Sequence, residues 1–231
     1  MSYFWFALSY VGFGLEAALV FVLFRRGRRE FPLFLSYICA RLAASVVISS
    51  YFLVAPNHSN RMYAVVYWLL DLGLHGLVIS LLAILIRFAQ GKTSSRFMIA
   101  GTVTMAAVLI AALVLPYDPR FGYWMTGAVR NLSFCEEMLN FILWMLLLRH
   151  SVAPRVLWVS AGLGIQVTGE VVGHSLRLLS SRAALWAPDV LINVCEIMAL
   201  AIWLYGSYDR ADDRLLSRAI PAGGLLKLSV E

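Results

Sequence analysis

The stretch Tyr63–Phe88, YAVVYWLLDLGLHGLVISLLAILIRF, decides how this chain is read. As a helix it would run roughly 39 Å at 1.5 Å per residue, enough to cross the ~30 Å hydrocarbon core of a bilayer. Only Asp71 and His75, one helical turn apart, interrupt its apolar character before Arg87. A charge at bilayer depth costs roughly 2.5–3.5 kcal/mol even on insertion scales, so such groups are rare and face a protein interior or a water-filled cavity. The stretch therefore predicts a membrane helix with a polar interior face.

Six further apolar runs accompany it: Tyr3–Phe24, Phe31–Val54, Phe97–Leu115, Trp124–Leu148, Val156–Leu179 and Leu185–Tyr208. The whole chain of 231 residues is 61% hydrophobic and only 14% charged, with mean hydropathy +0.79. Connections this short leave no room for a separate soluble domain. The expected fold is an all-α integral membrane bundle of seven transmembrane helices over residues 1–208. A short cytoplasmic tail, 209–231, follows, in which Asp209–Ile220 forms a surface helix before Pro221-Ala222-Gly223-Gly224.

Arginine and lysine orient the bundle. One set of loops and the tail carry thirteen, from Arg25, Arg26, Arg28 and Arg29 through Arg87, Lys92, Arg96, Arg149 and Arg155 to Arg210, Arg214, Arg218 and Lys227. The opposite side carries four: Arg61, Arg120, Arg177 and Arg182. The positive-inside rule places the N-terminus outside and the C-terminus in the cytoplasm, with the bacterial inner membrane as the expected location. The first run lacks a basic leader region and is followed at once by four arginines, so it reads as an anchor rather than a cleaved signal peptide. The net charge of +6 belongs to loops beside anionic headgroups and calls for the lipid bilayer, not nucleic acid, as partner. Cys39, Cys135 and Cys195 lie within apolar runs without a C-x-x-C pair, which predicts buried free thiols.

Residues three or four apart share a helix face, and the polar residues fall into such stripes. They are Ser9/Gly12/Glu16, Tyr37/Arg41/Ser45/Ser49, Tyr67/Asp71/His75, Thr126/Arg130/Ser133/Glu137/Asn140/Trp144 with Glu136 on the flank, Gln166/Glu170/His174/Arg177, and Asp189/Asn193/Glu196. The fourth run alone has no charge and is expected at the periphery. Counted from the nearest cytoplasmic base, Asp71, Glu136, Glu170 and Glu196 share a layer roughly 20–24 Å from the inner surface. One polar core in the outer half is the expectation. Gly162, Gly169 and Gly173 share a face that suits close helix packing, and Cys135-Glu136-Glu137-Met138 is echoed by Cys195-Glu196-Ile197-Met198, a weak sign of duplication.

Asp71, Glu136, Glu137, Glu170 and Glu196, with Glu16 deeper, outnumber Arg41, Arg130 and Arg177 by three. Carboxylates without a counter-charge in a low dielectric must take up protons, meet water, or hold a cation or cationic ligand. The candidate pocket is therefore Arg41, Asp71, His75, Arg130, Glu136, Glu137, Glu170, His174 and Glu196. Asp71-x-x-x-His75 and Glu170-x-x-x-His174, with Glu136 and Glu196, also supply the donor types of a carboxylate-bridged dimetal site. The spacing of four departs from the Glu-x-x-His of known dimetal bundles. A haem between His75 and His174 is possible only by residue type.

A retinal pigment is excluded, because the last run has no lysine for a Schiff base; the two lysines are Lys92 and Lys227. Asp71 and His75 are similar in kind to the zinc ligands of seven-helix hydrolases of the ceramidase and adiponectin-receptor type, but the last run has no His-x-x-x-His. The arginine-rich loop followed by Phe31-Pro32-Leu33-Phe34-Leu35-Ser36-Tyr37, together with Tyr67-Trp68-Leu69-Leu70-Asp71, resembles seven-helix membrane proteins of soil bacteria, chiefly acidobacteria. That resemblance covers mainly the first three runs and implies the fold without an activity. The function expected from the residues is a receptor-like or sensory module with an acidic outer pocket for a small ligand, proton or cation. A cytoplasmic or membrane protein partner would carry its output. The alternatives are a metal-dependent intramembrane hydrolase, a small proton-coupled transporter, and a non-catalytic subunit of a membrane complex. No cofactor is required by the residues, and a divalent metal is the one they could accommodate.

Overall fold

The structure, a computed structural model, describes residues 2–26, 32–54, 61–90, 114, 120–149, 154–179 and 186–208. Among these residues every regular element is α-helical: α1 Ser2–Arg26, α2 Pro32–Val54, α3 Arg61–Gln90, α4 Phe121–Leu147, α5 Pro154–Leu179 and α6 Trp186–Tyr208. They match the first three and last three apolar runs of the sequence to within a few residues. The fourth run, Phe97–Leu115, lies outside the described residues except for Val114, as does the tail 209–231 with its expected helix.

Five of the six helices are long and apolar enough to cross a membrane, which marks the chain as a multi-pass membrane protein. The exception, α4, is long enough but carries Arg130, Glu136 and Glu137. With no water in a bilayer core, backbone polar groups have to be satisfied inside the helix. Side-chain hydroxyls follow the same constraint by folding back onto the preceding turn. Ser50 donates to the Val46 carbonyl at 2.8 Å, Ser80 to Gly76 at 2.7 Å, Thr126 to Gly122 at 2.8 Å and Ser207 to Trp203 at 2.7 Å. Proline opens α2 and α5, where its missing N–H costs nothing.

The helices close a ring: α1 packs on α2, α2 on α3, α3 on α4, α4 on α5, α5 on α6, and α6 back on α1. Large apolar side chains such as Phe21, Leu69, Ile84, Phe88, Phe141 and Leu179 point outward, which suits a surrounding of lipid tails. Inside, one end of the ring is filled by Leu19, Phe34, Ile38, Leu81, Leu82, Leu85, Leu143, Leu147, Val156, Val159, Leu163, Leu200 and Trp203, drawn from all six helices. Trp203 is its largest member. Its indole N–H donates to the Val159 carbonyl at 3.0 Å, and its ring meets Phe34 and Tyr37 edge-on at 5.3 and 6.1 Å.

Between apolar helices in lipid there is little hydrophobic drive, so small residues that admit close approach hold the interface together. The glycine face expected on α5 packs against α6. Gly162 lies under the Trp203 indole, Gly169 under Cys195, and Gly173 under Ile192; Gly206 of α6 in turn receives Trp158. A Cβ at Gly162 would collide with the indole, and overpacking of this kind costs about 1–3 kcal/mol. Gly162→Ala is therefore expected to lower the thermal midpoint of the purified protein in detergent. Gly76→Ala, whose added methyl meets no described atom, is expected to leave it unchanged or raise it.

Candidate functional site

The end of the ring opposite the apolar layer holds a cavity of about 300 Å³. Ser9 and Glu16 of α1, Tyr37, Arg41, Ser45 and Ser49 of α2, Tyr67, Asp71 and His75 of α3, Gln166, Glu170, His174 and Arg177 of α5, and Asn193 and Glu196 of α6 contribute its polar lining. The helical stripes read from the sequence thus converge from five helices, and α4 adds Glu136 and Ser133 from behind.

Arg41 anchors one side. Its Nε donates to Glu16 Oε1 at 2.8 Å, its Nη2 pairs with Glu196, and its Nη1 donates to the Tyr37 hydroxyl at 3.2 Å. From there the hydrogen bonds continue in one direction. Tyr37 donates to Gln166 Oε1 at 2.9 Å, and Gln166 Nε2 donates to Glu170 Oε1 at 2.8 Å. Ser133 Oγ donates to the other Glu170 oxygen at 3.2 Å. Glu170 is the acceptor at which both branches end.

On the far side, His75 Nδ1 shares a hydrogen bond of 2.9 Å with Glu136 Oε1. His75, Glu136 and Glu170 each place one nitrogen or oxygen within 4.8 Å of the others. Two unit charges of like sign at that separation repel by roughly 3–4 kcal/mol at an effective dielectric of about 20. Glu136 is wholly buried, and among the described residues neither its Oε2 nor Asp71 Oδ2 has a hydrogen-bond partner. Among the described residues neither Asp71 nor Glu170 has an arginine or lysine partner. At the mouth, Arg177 grips Asp189 through Nε at 2.7 Å and Nη2 at 2.6 Å, and its Nη1 lies 3.4 Å from His174 Nδ1.

Seven of the nine expected pocket residues gather here: Arg41, Asp71, His75, Glu136, Glu170, His174 and Glu196. Two do not join them. Arg130 forks onto the side-chain carbonyl of its chain neighbour Asn131 at 3.4 and 3.0 Å and makes no ion pair among the described residues. Glu137 turns to Thr168 on the flank between α4 and α5, because adjacent helical residues point about 100° apart and Glu136 takes the interior direction. The six-ligand dimetal arrangement is also not assembled. Glu196 is held by Arg41, His174 faces Arg177, and only His75, Glu136 and Glu170 form a tight donor group among the described residues. Glu16, Tyr37, Gln166 and Arg177 belong to the site although the pocket assignment from sequence left them out. The signal was present, since each lies a turn from an assigned residue or, for Glu16, is an acid in mid-helix.

Removing one partner of a buried ion pair strands the other and costs about 3–5 kcal/mol. Arg41→Ala is expected to lose folded protein on that scale in thermal unfolding. Arg41→Met combined with Glu16→Gln and Glu196→Gln should recover most of it. A triple variant no better than Arg41→Ala would mean that packing, not charge, is what Arg41 supplies. No protein-family model matches this chain, and neither a curated protein nor a solved structure matches it.

Proposed function

We propose that the protein is a receptor-like seven-helix module of a bacterial inner membrane whose acidic cavity takes a small cationic ligand from outside the cell. The observation that carries this reading is the cavity itself. It is lined by Glu16, Asp71, Glu170 and Glu196 against Arg41 and Arg177, and backed by an apolar layer. Both arginines are already engaged by Glu16, Glu196 and Asp189, so the remaining carboxylates favour a positive guest.

The arginine count supports the orientation, because the apolar layer lies toward the ends of α1, α3 and α4, where the arginine-rich loops follow. The cavity then faces outward. Aromatic residues accord with this placement. Tyr63, Tyr67 and Trp68 form a series of ring contacts at 6.3 and 5.0 Å near the start of α3, and Trp158 meets Tyr205 at 5.2 Å toward the opposite end, as interfacial belts on either side would. The same apolar layer speaks against a transporter, which needs polar groups along a through-path. A receptor-like role requires a second protein, in the membrane or the cytoplasm, to read the occupied state.

The test is accessibility from defined sides of the membrane. With Cys39, Cys135 and Cys195 replaced by alanine, Ser45→Cys is expected to react with an impermeant thiol reagent in right-side-out vesicles. Leu81→Cys and Leu163→Cys are expected to stay unreacted. Small organic cations such as tetramethylammonium should slow labelling at Ser45→Cys, and equally sized anions should not. Labelling of Ser45→Cys only from the cytoplasmic face would overturn the orientation, and protection by anions would overturn the ligand class.

A further inference from the structure

We infer that the buried flank of this cavity, formed by His75 of α3, Glu136 of α4 and Glu170 of α5, is a binding site for one divalent transition-metal cation. The inference rests on the outward-open cavity for its entry path and names the cation that the innermost part of it selects.

Three observations converge. First, the three helices bring one imidazole nitrogen and two carboxylate oxygens within 4.8 Å of one another. Donors around a four-coordinate zinc ion, bound at about 2.0–2.1 Å, stand roughly 3.3 Å apart, so side-chain rotation of about 1 Å closes the site. Second, Glu136 is wholly buried and its Oε2 has no hydrogen-bond partner among the described residues. A buried carboxylate oxygen calls for a positive or hydrogen-bonding partner, and a cation supplies one. Third, His75 and Glu170 face the cavity, which leaves coordination positions open to water or to an incoming ligand. Asp71 lies within electrostatic reach of His75 as well, and its Oδ2, like Glu16 Oε2 and Glu137 Oε2, has no hydrogen-bond partner among the described residues.

The donor set selects the metal. Calcium and magnesium take oxygen ligands almost alone, whereas one imidazole with two carboxylates suits zinc, manganese or ferrous iron. The surrounding bonds restrain the ligands. Ser133 and Gln166 hold the two Glu170 oxygens in place, and second-layer partners of this kind commonly tune metal affinity by 10–100-fold. Arg41 and Arg177 do not compete for the site, since both are committed to other carboxylates.

The experiment uses the full-length protein in detergent, stripped with chelator and titrated separately with Zn²⁺ and Mn²⁺. One equivalent per chain is expected by calorimetry and by elemental analysis after desalting. Glu136→Gln and Glu170→Gln should each weaken binding at least tenfold, and Glu137→Gln should leave it unchanged. Because glutamine keeps the shape and removes the repulsion, both affected variants should melt no lower than wild type without metal, which separates lost ligation from lost folding. Co²⁺ gives a second readout: visible absorption of the wild-type complex should disappear with His75→Gln. Failure of the folded wild type to retain one equivalent, or equal affinity in Glu136→Gln, would overturn the metal site. Labelling of Ser45→Cys from outside, intact in that case, would leave the cavity reading standing; its absence would remove the cavity reading and the entry path together.

Discussion

A guanidinium almost out of contact with solvent, Arg41, is the constraint around which this bundle is arranged. An isolated charge of that kind is too costly for an apolar interior. It is tolerated because Glu16 and Glu196 arrive from two other helices, while Tyr37 takes a further N–H. That one requirement ties α2 to α1 and α6 and so seals the seam at which the ring closes. It also orients the next hydrogen bonds, since Tyr37 and Gln166 must each accept on one side and donate on the other. Glu170, receiving donors at both oxygens, is fixed as an acceptor.

The bundle is divided along its length. One half is a close-packed apolar layer built around Trp203, and the other is a cavity crowded with ionisable groups. Tyr37 stands at the border, its ring against Trp203 and its hydroxyl in the polar chain. Glycine faces on α5 let α6 come close enough to complete both halves at once. Among the described residues the outward face carries many large apolar side chains, while the ionisable groups of the pocket lie inside.

Run length and hydropathy made the described helices legible, and the four-residue spacing made the interior stripes legible. Tyr37 with Arg41, Gln166 with Glu170, and Gly169 with Gly173 all function together as their spacing implies. Which helix faces which was not legible, because periodicity gives a direction around one helix axis and says nothing of the neighbour met there. Asp71-x-x-x-His75 suggested a pair on one helix, yet His75 bonds Glu136 from another. Arg130 shares a stripe with Ser133 but not its depth in the bundle, and it settles on Asn131 instead. Of the adjacent acids Glu136 and Glu137, the sequence offers no way to choose; helix packing chose Glu136. The unmatched acids were legible as an excess, and Asp71, Glu137 and Glu170 are the ones left without a cationic partner among the described residues.

The ion pairs of Arg41 also set an order on biogenesis. Glu16 precedes Arg41 by one helix, so a carboxylate able to balance the guanidinium is already in place when α2 enters the bilayer. Glu196 belongs to α6, the last of the described helices to be made. Until that helix inserts, Arg41 lacks its second carboxylate, Gly162 and Gly169 of α5 have not met Trp203 and Cys195, and the ring stands open along the α1 edge. Insertion of α6 is thus the event that adds the second carboxylate to Arg41 and closes the ring.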